Sequence, residues 1–364
     1  MKKLVVVLLA LAVLMSFAPV FAEGELVGVA MPTNSLQRWN QDGDNMKAQL
    51  EAAGYKVDLQ YANNDVAMQI SQIENMITEG CDVLVIASID GGALGDVLKT
   101  ATENGIKTIA YDRLITGTEY VDYYTSFDNY KVGTIQGTFI KEALDLDNAA
   151  GPFNIEYFGG SPDDNNAHLF YQGAIDVLQP YIDAGKLVNP SGQKDFETVA
   201  ILGWGTDDAQ ARMDTLINGW YTSGTKLDVV LSPNDSLALG IANSLTAAGF
   251  TKENWPIITG QDCDIPNTVN IIKGLQSMCV FKDTRTLAAR TVTMVGQILS
   301  GAEVEVNNTE DYDNGVKVVP SFLCDPVFSN VDNYKEILLD SGYYSKETNP
   351  EAYAKITEAA EAAK

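Results

Sequence analysis

The sequence predicts an α/β protein of two lobes, each built on a parallel β-sheet. Short apolar runs alternate with amphipathic helical stretches in units of roughly 25–30 residues from Leu26 onward. The runs are continuously apolar rather than alternating, as in strands covered on both faces. About ten such units are more than one compact lobe holds, which implies two sheets. They fall into two groups around residues 128–131, which favours two lobes over a single (β/α)₈ barrel.

In the first group, the run 26–31 precedes a helical stretch at 36–53, 57–61 precedes 66–79, and 83–87 precedes 93–103. Gly54, Gly80 and Gly105 mark the helix ends, since glycine takes the left-handed cap conformation without a Cβ penalty. In the second group, 153–158 precedes a helix at 167–184, 199–202 precedes 209–221, and 229–231 precedes 237–248, closed by Gly249.

The first residues are read apart from the fold. Lys2-Lys3 and the apolar stretch 4–14 lead to Val20-Phe21-Ala22, the pattern of a secretory signal peptide cleaved after Ala22. The stretch is shorter than the ~20 residues of a membrane span. No cysteine near residue 22 offers a lipid anchor, and no later stretch is apolar enough to span a membrane. The expected product is exported and soluble. Residues 346–364, rich in Ala, Glu and Lys and without a broad apolar face, are read as a solvated tail, with a helix open within it.

The formal net charge is −25, and loss of Lys2 and Lys3 leaves 22 basic against 49 acidic residues, a net −27. Such a chain is repelled by nucleic acid and anionic lipid, which excludes a phosphate-backbone groove. Cys81, Cys263, Cys279 and Cys324 form no CxxC and no zinc spacing, so buried free thiols are expected, with a Cys263–Cys279 bridge as the alternative.

The polar residues that follow the strands carry the functional reading. In parallel sheets, ligands bind beyond the carboxyl ends of the strands. Here those ends lead to Arg38-Trp39, Asp112-Arg113, Asp164 and Asn166, Trp204, Asn234, Asp262 and Lys282. Carboxylates accept hydrogen bonds from hydroxyls, and guanidinium and ammonium groups donate to them. An indole face can pack against the C–H side of a sugar ring. Asn234 is expected to face the ligand while Asp235 caps the following helix. The loop 159–166 holds more Asp and Asn than one cap requires.

Catalytic readings are weaker. The single histidine, His168, falls on a predicted helix and supports neither a Ser-His-Asp triad nor a histidine metal site. The stretch 311–315 lacks the spacing and terminal Glu of a calcium loop, so no metal and no cofactor are expected. A carboxylate pair such as Asp112 and Asp262 leaves glycoside hydrolysis open as the alternative function.

Taken together, Arg38-Trp39, the stretches 72–76, 110–113, 126–129 and 159–167, Gly260-Gln261-Asp262 and 314–321 resemble the periplasmic sugar-binding proteins of ABC transporters. The likeness is to their multiple-monosaccharide and xylose-binding branch, and it extends to about Tyr344. The resemblance implies the type I periplasmic binding protein fold, two Rossmann-like lobes joined by three crossovers near Asn129, Phe281 and 307–316. The N-terminal lobe would comprise 23–128 plus 282–306 and the C-terminal lobe 129–281 plus 307–345. It also implies a non-enzymatic protein holding a monosaccharide such as xylose, arabinose, glucose or galactose. Arg38, Asp112, Arg113, Asp164, Asn166, Asn234, Asp262 and Lys282 match its hydrogen-bonding positions, and Trp39 and Trp204 its stacking positions. Its partners would be permease subunits of an ABC importer and, in some members, a chemoreceptor or sensor kinase.

Overall fold

The computed structural model describes residues 24–222 and 224–363. The expected leader, with its cleavage point at Ala22, lies outside the described residues. Twelve strands among them make two parallel sheets and a small antiparallel pair.

The first sheet contains β1 (Leu26–Met31), β2 (Lys56–Tyr61), β3 (Val83–Ile86), β4 (Lys107–Tyr111), β5 (Tyr123–Phe127) and β11 (Ser321–Cys324). All are parallel, in the order β11-β5-β4-β3-β1-β2. Successive strand residues point to opposite faces. Val27, Val29, Val83 and Val85 accordingly pack under helices Gln37–Ala52 and Thr284–Ser300, through Met46, Leu50, Leu287 and Val295. Ala30, Leu84 and Ile86 pack on the other side, against Ile73 and Met76 of helix Val66–Glu79 and Leu98 of helix Gly95–Glu103. Asp65 caps the third of these helices by accepting from the Met68 amide.

The second sheet has the order β7-β6-β8-β9, formed by Phe153–Tyr157 (β6), Leu187–Val188 (β7), Val229–Leu231 (β8) and Ile257–Ile258 (β9). A bridge between Gln261 and Val280 extends it to β10 (Cys279–Phe281), which pairs antiparallel with β12 (Val327–Ser329). Its two faces are covered by separate clusters, one around Met213, Leu237 and Ile241 and one around Ile140, Ala174 and Leu178. Helices Asn129–Ala143 and Asn165–Asp183 approach so closely that a Cβ on Gly133 would stand 2.0 Å from the Phe170 carbonyl oxygen.

Several expectations need correction. The third crossover does not fall at 307–316. Ser321–Cys324 still belongs to the first sheet, beside Tyr124 to Phe127, and the chain crosses only at 325–326. Pro320 precedes an edge strand, where its missing N–H costs no ladder bond. The run 199–202 is not a strand. It holds the end of the helical turn Phe196–Val199, one bridge from Ala200 to Gly159, and the start of a 3₁₀ turn at Leu202–Trp204. Gly203 and Trp204, at φ +63° and +58°, turn the chain away after that single bridge.

Residues 346–364 are not a solvated tail either. Pro350–Ala362 is a helix whose Ala352, Ile356 and Ala359 are buried beside Ile271, Ile272 and Leu338. Their spacing of four and three residues makes a narrow stripe, and small side chains let the helix Ile265–Lys273 come close enough to use it. All four cysteines are buried and free, with the Cys263 amide donating to Cys279 Sγ at 3.0 Å. No described helix is long and apolar enough to cross a membrane.

Candidate functional site

The strand ends of both sheets converge on one cleft. At several of them the backbone is left-handed at a residue other than glycine: Asp112 (φ +58°), Trp204 (+58°), Asp262 (+96°) and Cys263 (+57°). Such conformations cost energy and persist only where their surroundings over-determine them. At Asp112 the restraints are explicit. Its amide donates to the Thr125 carbonyl, and its own carbonyl accepts from Tyr124 Oη (2.7 Å), Ser126 Oγ (2.8 Å) and Asn166 Nδ2 (2.6 Å). Asn166 comes from the second lobe, so this carbonyl already joins the two.

Arg38 lies in the first turn of helix Gln37–Ala52 and extends across the cleft. Its Nη2 is 2.9 Å from Asp112 Oδ1, its Nη1 2.8 Å from Asp262 Oδ1 of the other lobe, and its Nε binds Asp42. Lys282 Nζ stands 3.5 Å and 3.6 Å from the same Asp112 and Asp262 oxygens. A second ionic pair crosses the cleft where Arg113 Nε meets Asp164 Oδ2 at 3.0 Å, with Arg113 Nη1 anchored on the Ser88 carbonyl.

These neighbours set the charge states. Burial pushes the Asp112 carboxyl up, but Arg38, Lys282 and Arg113 together outweigh it and hold the group at about 2. Asp164 and Asp42 go the other way. At both, burial exceeds the help of the single adjacent guanidinium, and Asp42 rises to about 6. The floor of the cleft is thus a buried alternation of anions and cations, able to accept and donate hydrogen bonds within a few ångströms.

Aromatic faces flank this floor. The Arg113 guanidinium lies 5.0 Å above the Trp39 ring, and Trp204 meets Phe170 edge-on at 6.3 Å. Trp204 fits only because residue 160 is glycine, where a Cβ would stand 2.0 Å from the indole Cη2. The Trp204 Nε1 is buried without a hydrogen-bond partner among the described residues.

Arg38, Trp39, Asp112, Arg113, Asp164, Asn166, Trp204, Asn234, Asp262 and Lys282 all line one cavity, of about 410 Å³ including its mouth. Leu36, Phe170, Ser236 and Gln261 complete the lining. Phe170, which the sequence reading missed, sits four residues after Asn166 on the same helical face, a spacing that could have found it. Asp42 stands in the same relation to Arg38. The division expected between Asn234 and Asp235 is corrected: Asn234 is itself the N-cap, its Oδ1 accepting from the Leu237 amide, while also bordering the cavity. Asp235 is buried beneath, receiving Gln276 Nε2 and the Asp264 amide. His168 packs on Phe196, with its Nε2 3.1 Å from the Pro162 carbonyl, outside the cavity lining.

Residues 27–303 match the family described as a periplasmic binding protein domain. Over 338 residues the chain is 52% identical to a multiple sugar-binding periplasmic receptor of Rhizobium radiobacter, covering 92% of this chain and 95% of that protein. It is 36% identical over 322 residues to the D-xylose-binding periplasmic protein of Escherichia coli (strain K12), covering 88% and 91%. A solved ABC transporter solute-binding protein from Clostridium phytofermentans, with bound β-D-glucose, is 60% identical. It superposes with a TM-score of 0.87, covering 89% of this chain and 99% of that one.

Proposed function

This chain belongs to the periplasmic binding protein domain family, and on that premise we propose that it captures an aldopentose or aldohexose between its lobes and delivers it to an ABC sugar importer. The observation that carries the reading is the single cavity at the carboxyl ends of both sheets, where buried anions and cations from both lobes alternate between two indoles. Ionised Asp112 accepts from sugar hydroxyls. Arg38, Arg113, Lys282, Asn166 and Asn234 donate to them, and Trp39 and Trp204 supply apolar faces. Charge-assisted hydrogen bonds are roughly twice as strong as neutral ones. Because the polar groups come from both lobes, a sugar that satisfies them favours the closed arrangement. The membrane permease then reads closure, and a chemoreceptor or sensor kinase could read the same state.

The pair Asp112 and Asp262 is poorly suited to glycoside hydrolysis. That chemistry needs one carboxylic acid protonated near neutral pH beside a second carboxylate across the bond. Here Asp112 is held at about 2, and Asp112 and Asp262 share one guanidinium. With relatives that are named as sugar-binding proteins, we read this protein as a receptor and not an enzyme.

Isothermal calorimetry with D-glucose, D-xylose, D-galactose and L-arabinose tests the reading. At least one should bind at one sugar per chain with Kd of about 10⁻⁶ M or tighter and be recovered unchanged. Asp112→Ala should weaken that binding at least about tenfold, the cost of one charge-assisted hydrogen bond. No heat with any of the four sugars would sink the reading, and full affinity in Asp112→Ala would remove that residue from the site. Export with cleavage after Ala22 belongs to the same proposal. The secreted protein should begin at Glu23, and an intact-mass measurement matching the uncleaved chain would refute that.

A further inference from the structure

Arg38 and Asp262 meet inside the cavity, and their sequence neighbours Gln37 and Cys263 are joined outside it. Gln37 Nε2 donates to the Tyr344 hydroxyl at 2.8 Å, and that hydroxyl donates to the Cys263 carbonyl at 2.9 Å. The Ile265 amide returns a bond to Gln37 Oε1 at 3.1 Å. One turn along the same helix, Gln41 Nε2 reaches the Tyr344 hydroxyl at 3.2 Å, and the Tyr343 hydroxyl donates to Gln41 Oε1 at 3.2 Å.

These bonds span the two lobes. Gln37 and Gln41 stand on the helix that packs against the first sheet. Tyr343 and Tyr344 are buried in the second lobe among Cys263, Ile271, Phe281 and Leu338. The carbonyl that Tyr344 holds belongs to the left-handed pair Asp262-Cys263, whose backbone must be restrained for Asp262 to aim at Arg38. One hydroxyl thus fixes the strained dipeptide that presents a cavity carboxylate, and it also receives a donor from the opposite lobe.

We propose that Tyr344 is a positioning residue for sugar capture, and that with Gln37 it latches the closed lobes from outside the ligand cavity. The proposal rests on the sugar-binding reading above. A bond that exists only when the lobes are together resists opening, so its loss acts on ligand release. Tyr344→Phe keeps the ring and its packing while removing the hydroxyl. Gln37→Ala, at a half-buried position, breaks the same link from the other side.

Stopped-flow tryptophan fluorescence with D-glucose reads the effect. Each variant should raise the dissociation rate at least about fivefold, the worth of the one neutral hydrogen bond that both remove, with the association rate within about twofold of wild type. The double variant should release more slowly than the product of the two single effects predicts, since both variants break the Gln37–Tyr344 bond while each also loses a bond of its own. Unchanged dissociation rates in both variants overturn the latch. Failure of the sugar reading would look different, because wild type itself would give no response to D-glucose. In that event, amide hydrogen exchange across 262–264 in sugar-free protein decides: faster exchange in Tyr344→Phe and Gln37→Ala supports the latch, and wild-type rates overturn it. If Tyr344→Phe does not fold, Gln37→Ala carries both measurements.

Discussion

Arg38→Ala is expected to lower the unfolding free energy by about 3–5 kcal/mol and to remove detectable sugar binding. Arg38 is 6% exposed, and its guanidinium holds Asp42, Asp112 and Asp262, whose side chains are themselves almost wholly buried. Three anions attract it strongly enough to hold its charge against burial. Without it, Asp42 keeps only the Tyr111 hydroxyl among the described residues, and Asp112 and Asp262 face each other across the cleft with Lys282 between them. Breaking a buried pair from one side leaves uncompensated charge, which costs far more than the pair contributed. Arg38→Lys should recover only part of the loss, since one ammonium cannot fork toward three carboxylates. Urea unfolding and calorimetry measure the two effects. A variant as stable as wild type would mean that the acids are not held by Arg38.

The same residue shows how much of the site could be read from the chain. Its position after an apolar run, with Trp39 beside it, placed it at a strand end where ligands bind. The other nine expected cavity residues follow that rule, each coming after a strand or, for Trp204, ending a turn that replaces one. What the rule did not show was mutual geometry. Asp42 is a cavity support because the helix brings it one turn below Arg38, and Tyr111 reaches it from a strand 69 residues on. Long-range pairing was harder still. Nothing local in 321–324 tells which sheet will take that strand, because edge pairing depends on where Tyr124 to Phe127 already lie. The burial of the helix Pro350–Ala362 escaped because its buried stripe is mostly alanine, which carries little hydropathy but allows close approach.

The second large effect expected is on pH. Stability should be greatest near pH 4–5 and fall by about 3 kcal/mol between pH 5 and 8, two units of displaced titration at 1.36 kcal/mol each. The largest part comes from Asp235, fully buried under the cavity floor, and Asp42, pushed up to about 6, adds to it in the same sense. Burial is the main force on Asp235, with the charge of Asp262 adding to it, and the bonds from Gln276 Nε2 and the Asp264 amide do not compensate. Its carboxyl is pushed to about 7 from an ordinary 3.8. The folded state therefore holds this proton more tightly than the unfolded chain does. Its contribution to stability is complete below pH 3.8 and is lost as pH rises toward and through 7. Asp264, beside it, is raised in the same sense, again chiefly by burial, and its Oδ1 has no hydrogen-bond partner among the described residues. Asp112 has the opposite sign. Held at about 2, it stabilises the fold above pH 3.8 and withdraws that stability as pH falls below it, which sets the acid limit. Urea unfolding at pH 5 and pH 8 measures the slope, and Asp235→Asn, which cannot ionise, should flatten most of it. Equal stability at the two pH values would show that Asp235 is ionised at little cost, with water reaching it beneath the floor.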